Sequence, residues 1–181
     1  MPRFLALVLL CASAAVAQTP LQKLTSALSG HWAISGRSEP SPKFPSGVTT
    51  TGEEVWHTLA GGTPLVEEFH SKTSTGADGY DTAAFWWDST SQKYRGLFCG
   101  DFVDQGCAQF DVEWPGNVHE KKSNLIIMSG EYLQNGKTYS WRETFDFKSE
   151  TTFTQQLFVA ERGRDLKLVV TMTATRTPSA Q

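Results

Sequence analysis

Between residues 124 and 147 two alternating runs flank a single Asn135-Gly136 pair, and that arrangement leaves the backbone few choices. Asn-Gly is the preferred chemistry of a two-residue type I′ turn, because both central positions need positive φ. Such a turn fixes the pairing: Tyr139 faces Tyr132, Trp141 faces Gly130, Glu143 faces Met128 and Phe145 faces Ile126. One side of the hairpin is then almost wholly apolar and aromatic, while Ser140, Arg142, Thr144 and Asp146 occupy the other. A slip of one residue would exchange the two sides, so turn and pattern specify the same register.

The pattern continues along the chain. From Trp32 onward, segments rich in Val, Thr, Phe, Tyr and Trp are divided by Gly, Asn, Asp and Pro clusters, which is the signature of short strands. The spacing predicts strands near 31–37, 50–59, 64–73, 81–88, 93–99, 107–114, 124–132, 138–147, 152–161 and 165–177. A helix is predicted at 20–28, where Leu21, Leu24 and Leu28 share a face. "LAGGTPL" marks another hairpin around Gly61-Gly62, setting Trp56 opposite Glu67 and His57 opposite Val66.

Short connections favour sequential antiparallel neighbours. A meander of that size with one aromatic face closes into a barrel, because closure removes its exposed edges. The predicted class is therefore all-β: an up-and-down antiparallel meander of about ten strands closed into a barrel, with a short N-terminal helix. One connection departs from this economy. "SEPSPKFPSGVT", with Pro40, Pro42 and Pro45, is long enough to cover a barrel mouth and equally suits a surface loop.

The first residues read as an address. Arg3 supplies a basic start, Phe4 to Leu10 form an apolar core too short to span a bilayer, and Ala15-Val16-Ala17 fits an A-x-A cleavage site. Residues 1–17 are accordingly expected to be a signal peptide and 18–181 a single domain, periplasmic or secreted after cleavage near Ala17. A lipoprotein anchor at Cys11 fits less well, since Leu10 precedes it where a small residue is wanted. Cys99 and Cys107 then remain as a pair in an exported chain, and one disulfide is expected. Their spacing is not the C-x-x-C of a redox pair.

The formal net charge is −3, and loss of Arg3 makes it one unit more negative. No apolar stretch after Ala17 is long enough to cross a membrane, and no basic cluster exceeds Lys121-Lys122. Neither membrane insertion nor nucleic-acid binding is expected.

A helix leading into Gly30-x-Trp32, a long first loop, a meander of strands and Arg176 in the final strand together resemble the calycins, the superfamily of lipocalins and fatty-acid-binding proteins. In those barrels the Trp of G-x-W closes one end and an Arg of the last strand packs across it. The resemblance implies that role for Gly30, Trp32 and Arg176. Within the superfamily the chain is most similar to an uncharacterised family of exported bacterial lipocalin-like domains of unknown function. The similar elements are Leu21, Leu24, Leu28, Gly30 and Trp32, the tract "WWDSTSQKY" and the closing "TATRT". The opening strand also resembles nitrobindin-like haem barrels, which ligate iron through a His near the C-terminus. The last histidine here is His119, so no haem or other cofactor is expected.

Several residues could carry chemistry inside such a barrel. Glu143 interrupts the inward stripe of Tyr139, Trp141, Phe145 and Phe147, and a buried carboxylate must be paired or protonated. Arg176 lies on the apolar alternation of the last strand, so an internal salt bridge or hydrogen-bonded plug is one reading. The other is that Glu143, with Tyr139, Trp141 and Tyr132, anchors a ligand's polar group. In "EEVWHTLAGGTPLVEEFH" the register sets Glu53 opposite His70 on one face and gathers Glu54, Trp56, Glu67 and Phe69 on the other. An outer polar face accounts for Glu53 and His70, and Glu54 or Glu67 supplies a polar spot inside, with Trp56 and Phe69 beside it. This spacing offers at most pairs of metal ligands, so no metal site is expected.

No G-x-S-x-G elbow is present and no Ser-His-Asp set can be assembled from local spacing. No catalytic residue is assigned, and a binder is preferred to an enzyme. The leading expectation is an exported barrel that binds a small hydrophobic or amphipathic ligand in its interior. Two alternatives stay open: an isomerase or hydrolase using carboxylates in the same cavity, and a filled barrel acting as a structural or interaction module. The aromatics of "AAFWWD" bear on the last, since Phe85 and Trp87 share one face and Trp86 takes the other.

Overall fold

The computed structural model describes residues 19–114 and 124–178. The proposed signal peptide, Lys121-Lys122 and His119 lie outside the described residues. Within them the chain forms one helix, α1 (Pro20–Leu28), followed by ten strands: β1 (Gly30–Ser38), β2 (Thr49–Thr58), β3 (Leu65–Thr73), β4 (Asp78–Asp88), β5 (Lys93–Gly100), β6 (Cys107–Glu113), β7 (Leu125–Gln134), β8 (Lys137–Ser149), β9 (Thr152–Glu161) and β10 (Lys167–Thr177). Each strand pairs antiparallel with the next and β10 pairs with β1, so the sheet is a closed up-and-down barrel. Closure leaves no unpaired strand edge.

The hairpin registers follow from the turns. Asn135 and Gly136 have φ of 51° and 71°, and β7 and β8 pair with Tyr132 opposite Tyr139, Gly130 opposite Trp141, Met128 opposite Glu143 and Ile126 opposite Phe145. Between β2 and β3, Trp56 stands opposite Glu67, His57 opposite Val66 and Glu53 opposite His70. Glu53 is exposed on the outer face, where His70 stacks on Tyr80 with ring centroids 4.3 Å apart.

One end of the barrel is sealed by α1. Thr19 caps the helix in a reciprocal box with Gln22, and Pro20 occupies the first turn, where a missing N–H costs nothing. Leu21, Leu24 and Leu28 turn into the core beside Trp32, Phe85 and Phe153. The Trp32 indole donates to the Leu28 carbonyl at 2.8 Å. The Arg176 guanidinium donates to the carbonyls of Ser29 and Ala27, both at 2.8 Å, and lies 4.4 Å from the Trp32 ring. Helix, Trp32 and Arg176 thus form a floor in which the cation serves carbonyls that the ending helix would leave unpaired. Gly30, at φ 131°, carries the chain from helix to strand, and a Cβ there would stand 3.4 Å from the Arg176 guanidinium.

The opposite end is open and is held at one side by the 101–106 loop. Cys99 and Cys107 face each other across β5 and β6 with their sulfurs 2.10 Å apart. The Asp104 carboxylate accepts from the amides of Asn135 and Gly136, each at 2.9 Å. That contact fastens the loop to the β7–β8 turn. The proline-rich connection, residues 39–48, is at this same end.

Candidate functional site

The core does not fill the barrel. Trp32, Trp56, Phe85, Phe145 and Phe153 pack the half nearest the floor and are fully buried. Above them lies a cavity of about 280 Å³, near the lower end of the range for small-molecule sites. Its apolar wall comes from Phe69 of β3, Phe98 of β5, Trp141 of β8, Leu157 and Val159 of β9, and Val170 and Met172 of β10. Phe102, from the fastened loop, and Tyr132 stand at the rim, with ring centroids 5.8 Å apart. None of residues 39–48 lines the cavity.

The polar part of the wall is acidic. Glu67, Asp81 and Glu143 line the cavity with Gln155, Ser71, Thr82, Thr50 and Thr73. Glu54, 0% exposed, lies behind them. Its Oε2 accepts from the Trp56 indole at 3.2 Å. The Gln155 amide donates to Glu143 Oε1 at 2.8 Å.

Burial disfavours the charged form of all four acids, and neighbouring carboxylates add to the effect. Desolvation pushes Glu143 up to about 8, aided by Glu54 and Asp81 and opposed by the hydrogen bond from Gln155. The same cause raises Glu54 to about 7, against the hydrogen bonds of Trp56 and Gln155. Asp81 rises to about 6 through burial and the nearby charge of Asp101. Burial raises Glu67 well above the ordinary carboxylate range, and Glu54, Glu143 and Asp81 add to the effect. At neutral pH the group therefore holds shared protons and a fraction of its full charge.

Several polar atoms here have no hydrogen-bond partner: Glu54 Oε1, Asp81 Oδ1, Gln155 Oε1 and the Trp141 indole nitrogen. Buried polar atoms are normally paired, and those of Asp81, Gln155 and Trp141 belong to residues that line the cavity.

The structure brings Glu143, Trp141, Tyr132, Glu67 and Phe69 together around one cavity, from β7 and β8 on one side and β3 on the other. It places two other candidates away from it. Trp56 packs below the cavity against Phe85 and Phe145, and Tyr139 stacks on Tyr132, ring centroids 5.5 Å apart, without lining the space. No salt bridge joins Glu143 to Arg176. Arg176 is committed to the floor, and the partner of Glu143 is Gln155 on the neighbouring strand. Asp81, Gln155, Phe98 and Phe102 complete the site without having been singled out from sequence. The alternation of Asp81 with Ala83 and Phe85 could have revealed the first. Among the described residues no cluster of three or more His, Cys, Asp or Glu has the geometry of a metal site.

A closed ten-stranded antiparallel barrel, sealed by a helix and an Arg-on-Trp contact and hollow at the other end, defines a lipocalin-like barrel protein. Residues 19–176 match the family described as protein of unknown function DUF1579, and the chain belongs to it. No curated protein matches the chain. Among solved structures it is similar to Rv2717c from M. tuberculosis, with a TM-score of 0.60 and 14% identity over 89% of this chain and 99% of that one. It is also similar to the S-type phycobiliprotein lyase CPES from Guillardia theta, with a TM-score of 0.55 and 7% identity over 90% of this chain and 96% of that one. At such identities the likeness is one of fold.

Proposed function

We propose that this protein is an exported carrier or sensor that binds one small amphipathic molecule in the open half of its barrel. The observation that carries the reading is the cavity itself: a sealed floor, an aromatic and aliphatic wall, and a few convergent polar groups without partners. Pockets of that make-up are the usual form of small-molecule sites. A filled barrel serving only as a scaffold would have put side chains in that space. Export rests on the signal-like residues 1–17 and agrees with a cysteine pair at bonding distance.

A second reading shares the site. Carboxyls raised towards neutrality beside open volume are the arrangement expected of general acids and bases, so the cavity also suits a proton-transfer enzyme. The two separate on one measurement. Native mass spectrometry of the chain recovered from the periplasm of expressing cells, followed by denaturing extraction, should show one retained small molecule per chain if the protein is a carrier. Recovery of the apo mass alone, from cells and after incubation with a lipid and metabolite extract, would overturn the carrier reading. Release of an extract component in chemically altered form would favour the enzyme.

A further inference from the structure

The interior holds acid without base. Among the described residues the cavity wall carries Glu67, Asp81 and Glu143, with Glu54 behind it, and no Lys, Arg or His. Several acids on the outer surface have a cation beside them instead: Asp111 pairs with Arg95, Glu161 with Lys137 and Glu131 with Arg162. A barrel that needed only hydrogen bonds to a neutral ligand could use Asn, Gln, Ser and Thr at no electrostatic cost, and this one does place Gln155, Ser71 and Thr50 around the same cavity. Four interior carboxyls instead lower the stability of the empty protein.

Two further features face the same space. Gln155, 4% exposed, leaves its carbonyl oxygen unpartnered, an acceptor beside the acids that a donor could satisfy. Phe69, Phe98 and Trp141 put aromatic rings in the wall, and aromatic faces attract cations.

We propose that the bound molecule is cationic: a primary ammonium seated among Glu67, Asp81, Glu143 and Gln155, on an aromatic or branched apolar body that fills the Phe98, Trp141 and Leu157 side. This deepens the proposed small-molecule site and rests on it. The ammonium supplies three donors and a charge, and the acids supply the acceptors. Because the empty cluster holds protons at neutral pH, entry of the cation ionises a carboxyl and releases a proton to solvent, which keeps the charge balanced.

The titratable groups that face this site are Glu54 on β2, Glu67 on β3, Asp81 on β4, Asp101 in the β5–β6 loop, Tyr132 on β7 and Glu143 on β8; burial raises the Tyr132 hydroxyl further above its ordinary range, so it stays neutral here. The wall residues from β5, β9 and β10 do not titrate. Glu54, Glu67, Asp81 and Glu143 lose protons as pH rises, so affinity for the cation climbs between pH 5.5 and pH 8.5. An alkylammonium stays charged over that interval, as lysine does.

The test uses three probes of one shape: 2-phenylethylamine, 2-phenylethanol and 3-phenylpropionate, titrated into the mature protein with calorimetry and tryptophan fluorescence at pH 5.5 and pH 8.5. The amine should bind at least tenfold more tightly than the alcohol at pH 8.5, with the advantage shrinking severalfold at pH 5.5. The propionate should bind more weakly than either. Glu143→Gln and Asp81→Asn should each reduce the amine-to-alcohol ratio, and proton release should show as a dependence of the heat on buffer ionisation enthalpy. Equal or tighter binding of the alcohol or the propionate would overturn the cationic assignment and leave the small-molecule site standing. Failure of all three to bind would also overturn it, and the native mass spectrum would then judge the cavity reading separately.

Discussion

Replacing Glu143 with Gln should make the protein more stable, and only on the alkaline side. The carboxyl ionises near 4.5 in an exposed chain and near 8 in the barrel. Between those values the folded state holds a proton that the unfolded state has released, so stability falls as pH rises. Each pH unit changes the folding equilibrium by up to about tenfold for one such group. The loss starts above 4.5 and is complete above about 8.

Taken alone over the whole interval, that is roughly 5 kcal/mol. Proton sharing with Glu54 and Glu67, together with access of water to the cavity, brings the expected figure nearer 2 kcal/mol. Gln keeps the shape and still accepts the hydrogen bond from Gln155, but does not titrate. Urea unfolding at pH 5 and pH 8, followed by fluorescence and circular dichroism, should give Glu143→Gln a stability within about 1 kcal/mol of the parent at pH 5 and roughly 2 kcal/mol above it at pH 8. A variant equally displaced at both pH values, or less stable at pH 8, would refute the reasoning.

Substitutions at three other positions probe the frame around the cavity. Arg176→Ala removes two charge-assisted hydrogen bonds and the contact with Trp32, and should cost about 3 kcal/mol in denaturant unfolding; Arg176→Lys should restore less than half, because a point donor does not span both carbonyls. Gly96→Ala would set a methyl 2.0 Å from the Phe110 ring and should cost roughly 1–3 kcal/mol by overpacking, seen as a lower melting temperature. Asp104→Ala frees the amides of Asn135 and Gly136 and should speed their hydrogen exchange with little change elsewhere.

Much of the frame was legible because its determinants are local. Asn135-Gly136 and Gly61-Gly62 set registers that alternation then carries along whole strands, and Leu21, Leu24 and Leu28 mark a helix by their spacing. The pairing of Glu143 was not legible. Whether an inward acid meets Arg176 or Gln155 depends on how far up the barrel each side chain stands, and that height is set by strand stagger around the closed sheet. The same limit hid the height of Trp56, which faces inward as its register requires yet packs one layer below the cavity. Asp81 is legible in the sequence on its own terms: its alternation with Ala83 and Phe85 points it inward.

The chain has six Trp, and their indole N–H groups report separately on the two ends of the barrel. Trp141 lines the cavity with its indole nitrogen unpartnered, whereas Trp86 and Trp87 lie beside α1 at the floor end. Two-dimensional ¹H–¹⁵N spectra during titration with 2-phenylethylamine, assigned by single Trp→Phe variants, test the central claim directly. Ligand in the barrel should shift the Trp141 indole progressively and leave those of Trp86 and Trp87 in place. Shifts confined to Trp86 and Trp87, or an unmoved Trp141 at a concentration where calorimetry shows binding, would contradict a site in the open half of the barrel.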